Sequence, residues 1–305
     1  MQALTAAFEA SRAQNRAALV TQVTAGFPSV NATPEIMLGM QAGGADIIEI
    51  GIPFKDPMTD SPFYQSINTI AFDNGVRIPA ILQIVKTARS RGLTVPVVLM
   101  GHREPIREYA FGEEKLLRDC KAAGVDGFVI VDFPHDEAVR FSSSCKARGL
   151  SYIPVIALTT PESHMQTLCK SATSFVFLVS HVGSDGVLAD PDEGLPGLLK
   201  RVQRYAKEKV PTVIGSCATI SQQFLRLARL AEGVAVEGSL GSILESAAPG
   251  TMAQKVKEYC LKVADRAEAH VVIPPKRQPV HQSMSPTTVY LSSSDGTYDC
   301  EMMSQ

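Results

Sequence analysis

The sequence predicts an α/β chain folded as a single (β/α)₈ barrel, and three features point that way. Short segments rich in Val, Ile and Phe, apolar on consecutive residues, recur along the chain at Ala18–Thr24, Asp46–Gly51, Pro96–Met100, Gly127–Asp132, Ser151–Ala157, Ser174–Ser180, Pro211–Gly215 and Gly233–Glu237. Consecutive apolar residues are how a parallel strand buried on both faces reads. Amphipathic segments alternate with them, as at Pro79–Arg91, Glu113–Ala123, Asp136–Arg148, Leu195–Glu208 and Ile220–Leu230. No G-x-G-x-x-G follows the first strand, which leaves a closed barrel favoured over an open doubly wound sheet.

Punctuation agrees with this alternation. Pro34 and Pro79 suit first-turn helix positions, and Gly92, Gly124 and Gly149 suit helix C-caps. A length of 305 residues with 45% hydrophobic content supplies a core for one barrel, which takes about 250 residues. The barrel is expected over 1–269. Beyond it the sequence turns rich in Pro, Ser and Thr without periodicity, so 270–305 reads as a disordered tail.

Charge is near balance, with 29 Lys+Arg against 31 Asp+Glu and a net of −2. Neither a nucleic-acid backbone nor an anionic membrane surface is indicated as partner. The six cysteines are scattered with no C-x-x-C, so buried free thiols are expected, not disulfides or a zinc site. The opening MQALTAAFEASRAQNR lacks a secretory apolar run, and no stretch reaches about 18 apolar residues. A cytoplasmic, reduced protein is the expectation.

Barrels place their chemistry at the C-terminal strand ends. The segment IIEIGIPFKDPMTDSPFYQ there is the most informative of the chain. Glu49 interrupts an apolar strand and must point into the barrel or against the helix layer. A buried carboxyl group is costly unless paired or protonated, and desolvation moves it toward the range useful for proton transfer. Asp60 follows in the next loop, close enough to face the same hollow. The plainer reading makes Glu49 a hydrogen-bonded strand-end residue, with Asp56 and Asp60 as turn residues before Pro57 and Pro62. Residue chemistry alone leaves both readings open.

This segment fits E-[IL]-G-[IV]-P-F-x-D-P-x-x-D-x-P, the signature of the tryptophan synthase alpha family. NRAALVTQVTAGFP (15–28), GGADIIEIGIPF (43–54), KAAGVDGFVIVDFPHDEA (121–138) and GLSYIPVIA (149–157) also resemble that family's fungal form. The resemblance runs from about Thr5 to Ala269. It implies a TIM barrel that cleaves indole-3-glycerol phosphate to indole and glyceraldehyde 3-phosphate by a retro-aldol step. It also implies Glu49 as the catalytic acid/base and Asp60 as the carboxylate holding the indole N–H. No cofactor or metal is implied for the barrel. A pyridoxal-phosphate beta-type subunit is implied as a partner in trans, docking near Pro53, Asp56 and Pro57. The chain ends at Gln305, which reads as a divergent stand-alone member.

Departures from the family pattern gather at the barrel mouth. Gln22 replaces a pocket aromatic residue, and GHREP replaces G-Y-Y-N-P after the third strand, bringing in His102, Arg103 and Glu104. Phe177 stands where Tyr is usual. Asp185, before Gly186, replaces the loop Thr that bonds the indole-binding Asp. The phosphate-loop candidates are Gly186, Gly215, Gly238 and Ser239, with Glu237 an unfavourable neighbour for a dianion. His135 and His164 read as solvated residues at helix starts. Three functions remain open on these grounds: the family reaction, a neighbouring carbon–carbon lyase or proton-transfer reaction on a different, less anionic substrate of indole or specialised metabolism, and a non-catalytic barrel acting in interaction or regulation.

Overall fold

The computed structural model describes residues 1–55, 62–110, 112–179, 194–206, 210–216, 221–236 and 238–267. Among them lie nine parallel strands: β1 Ala18–Thr24, β2 Ile47–Gly51, β3 Val97–Gly101, β4 Gly127–Ile130, β5 Ser151–Ile153, β6 Val155–Ala157, β7 Val176–Val179, β8 Thr212–Ser216 and β9 Gly233–Val236. Twelve helices accompany them: α1 Gln2–Ala13, α2 Ala32–Ala42, α3 Pro62–Asp73, α4 Ile78–Ser90, α5 Arg103–Arg107, α6 Gly112–Ala123, α7 His135–Ala147, α8 Glu162–Ser171, α9 Leu195–Tyr205, α10 Ser221–Ala228, α11 Gly238–Ser246 and α12 Met252–Ala267. The tail expected at 270–305 lies outside the described residues, as does Phe111.

Strand order is β5-β4-β3-β2-β1-β9-β8-β7-β6. The two ends of that order, β5 and β6, are separated in the chain by Pro154 alone. Proline has no N–H to give a ladder and is confined to interruptions of this kind. The Pro154 carbonyl still accepts from the Phe177 N–H at 2.9 Å. β5 therefore pairs with β4 (Gly127↔Ser151), and β6 pairs with β7 (Val155↔Phe177). The two pieces are halves of the fifth of eight strands, and the sheet closes into a (β/α)₈ TIM barrel.

Alternation along each strand divides the core in two. Ala18, Val20, Ile47, Val98, Val129, Ile153, Phe177, Val213 and Ala235 fill the lumen. Leu4 and Phe8 of α1 join them, with Phe8 5.4 Å from Phe175 between ring centroids, and stop the lumen at the N-terminal strand ends. The intervening strand residues, such as Ile48, Ile50 and Leu99, pack outward against the helices. α4 shows why its sequence is helical: Ile78, Ile81, Leu82, Val85 and Ala88 fall on one buried stripe of period 3.6. Gly124 takes φ +91° just past α6, a conformation in which a Cβ is strained.

Acidic residues just before strands pin neighbouring strands in register. Asp46 accepts the Leu19 N–H at 2.8 Å, Asp126 the Val97 N–H at 3.0 Å and Glu232 the Thr212 N–H at 2.9 Å. Arginines complete two of these pins. Arg16 grips Asp46 through both terminal nitrogens. Arg89 reaches Asp126 at 3.1 Å and also donates to the carbonyls of Gly124 (2.8 Å), Leu93 (3.1 Å) and Val95 (2.7 Å). Side chains with two or more geometric commitments hold one rotamer, which is what register needs.

Cys120, Cys145, Cys169 and Cys260 are free and buried. Burial pushes the Cys169 thiol up to about 11 and that of Cys260 to about 12, which makes them poor nucleophiles. Among the described residues no helix is long and apolar enough to cross a membrane, and no group of three His, Cys, Asp or Glu side chains could hold a metal ion.

Candidate active site

Glu49 is completely buried on β2. It lies two residues beyond Ile47, a lumen residue, while Ile48 and Ile50 belong to the outer core. The period of two therefore places the Glu49 side chain on the lumen face, toward the C-terminal mouth. Its register partners are Gln22 on β1 and Val98 on β3. The choice that the apolar strand left open, lumen or helix layer, is thus decided by strand parity.

Above this level a cavity of about 110 Å³ opens between β1, β2, β3 and α3, bordered by Gln22, Thr24, Phe54, Tyr64, Asn68, Met100 and His102. Gln22 lies half-buried on its wall, its Nε2 3.5 Å from the Met100 sulfur. His102 follows β3 directly and precedes α5. Its Nδ1 lies 3.5 Å from Asp132 Oδ2, and its ring packs on Phe54 at 5.2 Å between centroids, 34° from parallel. Asp132 is fixed in turn, because its Oδ1 accepts the Arg103 N–H at 2.7 Å. Burial pushes the Asp132 carboxyl up. The His102 contact and the Arg103 N–H outweigh that push, and the group titrates below the ordinary carboxylate range.

The other sequence candidates distribute differently. Phe177 is buried in the lumen packing at 1% exposure, and its ring occupies the space in front of Gly215. A Cβ placed on Gly215 would stand 2.5 Å from Phe177 Cε1 and 2.7 Å from Cζ. Close packing on an aromatic ring is thus a sufficient physical reason for glycine there. Gly215→Ala is expected to displace that ring and cost about 1–3 kcal/mol in unfolding free energy, read by chemical denaturation. Gly238 and Ser239 open the nine-residue helix α11 directly after β9, the neighbour of β1. Asp60, Asp185 and Gly186 lie outside the described residues.

One grouping escaped the sequence reading. His135 opens α7 and His164 lies in the first turn of α8, and their rings stack at 4.9 Å and 26°. His164 is exposed as expected. His135 is not the solvated residue anticipated: it is half-buried, with Nε2 shielded from solvent and without a hydrogen-bond partner. Together with Phe133, Tyr152, Thr160 and Leu168 they border a second cavity of about 290 Å³. The two histidines are 29 residues apart in sequence, and only the adjacency of the fourth and fifth barrel strands brings them together.

With this geometry in place, comparison with known proteins decides the ancestry. A family model described as the tryptophan synthase alpha chain matches residues 8–270. The chain belongs to the tryptophan synthase alpha chain family. It is 38% identical over 265 residues to tryptophan synthase of Saccharomyces cerevisiae, covering 87% of this chain and 37% of that protein. It is 34% identical over 252 residues to the tryptophan synthase alpha chain of Polaromonas naphthalenivorans, covering 81% of this chain and 92% of that one. The crystal structure of tryptophan synthase subunit alpha from Legionella pneumophila superposes with a TM-score of 0.79 at 25% identity, covering 88% of this chain and all of that one. The family's proteins are lyases. Within this tryptophan synthase alpha barrel, the signature Glu49 lines the lumen, while Gln22 and His102, two of the departures from the family pattern, border the adjoining cavity.

Proposed function

We propose that this barrel is a carbon–carbon lyase that cleaves indole-3-glycerol phosphate, or a close relative altered on the ring, into the corresponding indole and glyceraldehyde 3-phosphate. The observation that carries the reading is Glu49, a fully buried carboxyl group on the lumen face below an open cavity, in a chain of this family. Cleavage requires a proton delivered to ring carbon 3 and a proton removed from the glycerol hydroxyl next to the breaking bond. A carboxyl group withdrawn from water is suited to hold the first proton, because desolvation disfavours its charged form. As the bond breaks, its electrons return to the ring and the hydroxyl oxygen becomes the aldehyde oxygen, so no redox partner is needed. Asp60 is assigned to the indole N–H.

The phosphate is assigned to the start of α11 at Gly238 and Ser239, where backbone N–H groups and the helix dipole favour an anion. A beta-type subunit is proposed to dock in trans beside Pro53, and the buried thiols are consistent with a reduced, cytoplasmic setting. The test is incubation of the purified chain with indole-3-glycerol phosphate. Indole and glyceraldehyde 3-phosphate in equal amounts support the proposal. Recovery of intact substrate, with no rise in melting temperature on adding it, sinks it, since a ligand of the native state must stabilise that state.

A further inference from the structure

Resting on that reading, we infer that His102, oriented by Asp132, accepts a hydrogen bond from a hydroxyl group on the substrate's aromatic ring, so that the preferred substrate is a ring-hydroxylated indole-3-glycerol phosphate. The imidazole is held on two sides. Asp132 Oδ2 faces Nδ1 at 3.5 Å, and Phe54 covers the ring at 5.2 Å. Asp132 is itself immobilised by the Arg103 N–H at 2.7 Å. In the neutral imidazole, a carboxylate facing Nδ1 selects the tautomer that carries its proton there, which leaves Nε2 with a lone pair. His102 is only 13% exposed and borders the cavity, so this lone pair is offered to a ligand that donates.

Topology says which end of the substrate arrives there. The phosphate assignment at α11 follows β9, on the far side of β1, whereas His102 follows β3, two strands beyond β1 in the other direction. A ligand anchored by phosphate at α11 and reacting beside Glu49 on β2 directs its ring toward His102. The residue stands nearer the mouth than the acid. Val98 is level with Glu49, and His102 is four residues nearer the mouth, roughly 13 Å of strand rise. Recognition of the ring is the role proposed for it.

The walls around it are of mixed character, with Ile52 and Met100 as apolar surface and Gln22, Asn68 and His102 as polar groups. An unsubstituted ring would cover the Nε2 lone pair without giving it a donor. Sites built to bond a donor discriminate against ligands that lack it.

Specificity is measurable in the condensation direction, which passes through the same transition state. Ring carbon 3 of an indole joins the aldehyde carbon of glyceraldehyde 3-phosphate; the ring loses a proton there and the aldehyde oxygen gains one. The full chain is assayed with indole and with 4-, 5-, 6- and 7-hydroxyindole. At least one hydroxyindole is expected to exceed indole in kcat/KM by about tenfold or more. His102→Phe, which keeps a ring and removes the acceptor, is expected to bring that ratio to about one while turnover of indole persists. His102→Gln, which restores an acceptor oxygen, recovers part of the ratio. Asp132→Asn, changing a positioning residue, lowers the ratio even where its melting temperature falls. Preference for unsubstituted indole, or an unchanged ratio in His102→Phe, overturns this inference and leaves the lyase reading standing. Condensation with none of the five indoles overturns both.

Discussion

Glu49→Gln is expected to lower indole release from indole-3-glycerol phosphate by about 10²–10⁴-fold, the range general acid–base groups supply. The substitution keeps side-chain volume and hydrogen-bonding capacity but removes the transferable proton. Because Glu49 sits in a fully buried strand of the barrel, a truncation there would open a cavity in the lumen and confuse chemistry with folding. The amide avoids that confusion. Its melting temperature should stay near that of the wild type, and the stabilisation by a non-cleavable phosphate analogue should persist, because the phosphate assignment lies on another strand. A loss confined to kcat, with KM little changed, marks an interaction made in the transition state. Activity within about twofold of wild type would remove Glu49 from the mechanism.

Arg89→Met carries the largest expected effect on stability, a loss of about 3–5 kcal/mol in unfolding free energy. The side chain of Arg89 is 22% exposed and that of Asp126 is 15% exposed, so this pair is mostly withdrawn from water. Methionine fills the stem but leaves Asp126 without its cation and three carbonyls, those of Gly124, Leu93 and Val95, without their donor. Those groups belong to the turns that feed β3 and β4, so the loss bears on strand register as well as on charge. Denaturant unfolding should show a lowered midpoint with an unchanged slope. Arg91→Ala provides the contrast. Arg91 and Glu35 pair with 43% and 50% side-chain exposure, and the expected change is below about 1 kcal/mol. Equal effects of the two substitutions would contradict this account of the pins.

The barrel was legible in the sequence because its strands are buried on both faces, and segments such as Gly127–Ile130 and Val176–Val179 advertise that by unbroken apolar runs. The same property hid which face Glu49 occupies. An unbroken run carries no alternation, so parity could be read only once Ile47 was seen in the lumen and Ile48 against the helices. Pro154 was visible as a residue but not as a seam, since its consequence depends on which strand lies on each side. The pairing of His102 with Asp132, thirty positions on, and the stacking of His135 on His164 were invisible for a related reason. Contacts between successive βα loops are set by the adjacency of strands, and no local pattern records them. Gly215 shows the converse. Beside the phosphate-loop position that its motif suggested, it has a packing task that no motif records, because the Phe177 ring lies 2.5 Å from where its Cβ would stand.

Cleavage of indole-3-glycerol phosphate by the wild-type chain in deuterium oxide, with the indole collected and its label located, tests the central assignment most directly. A buried acid that has exchanged with solvent before substrate arrives must deliver one deuteron to ring carbon 3 in every turnover. The account predicts indole carrying a single deuterium at that carbon, formed about 10²–10⁴-fold more slowly when residue 49 is glutamine. Indole without label at carbon 3, or labelled indole released equally by Glu49→Gln, would contradict it.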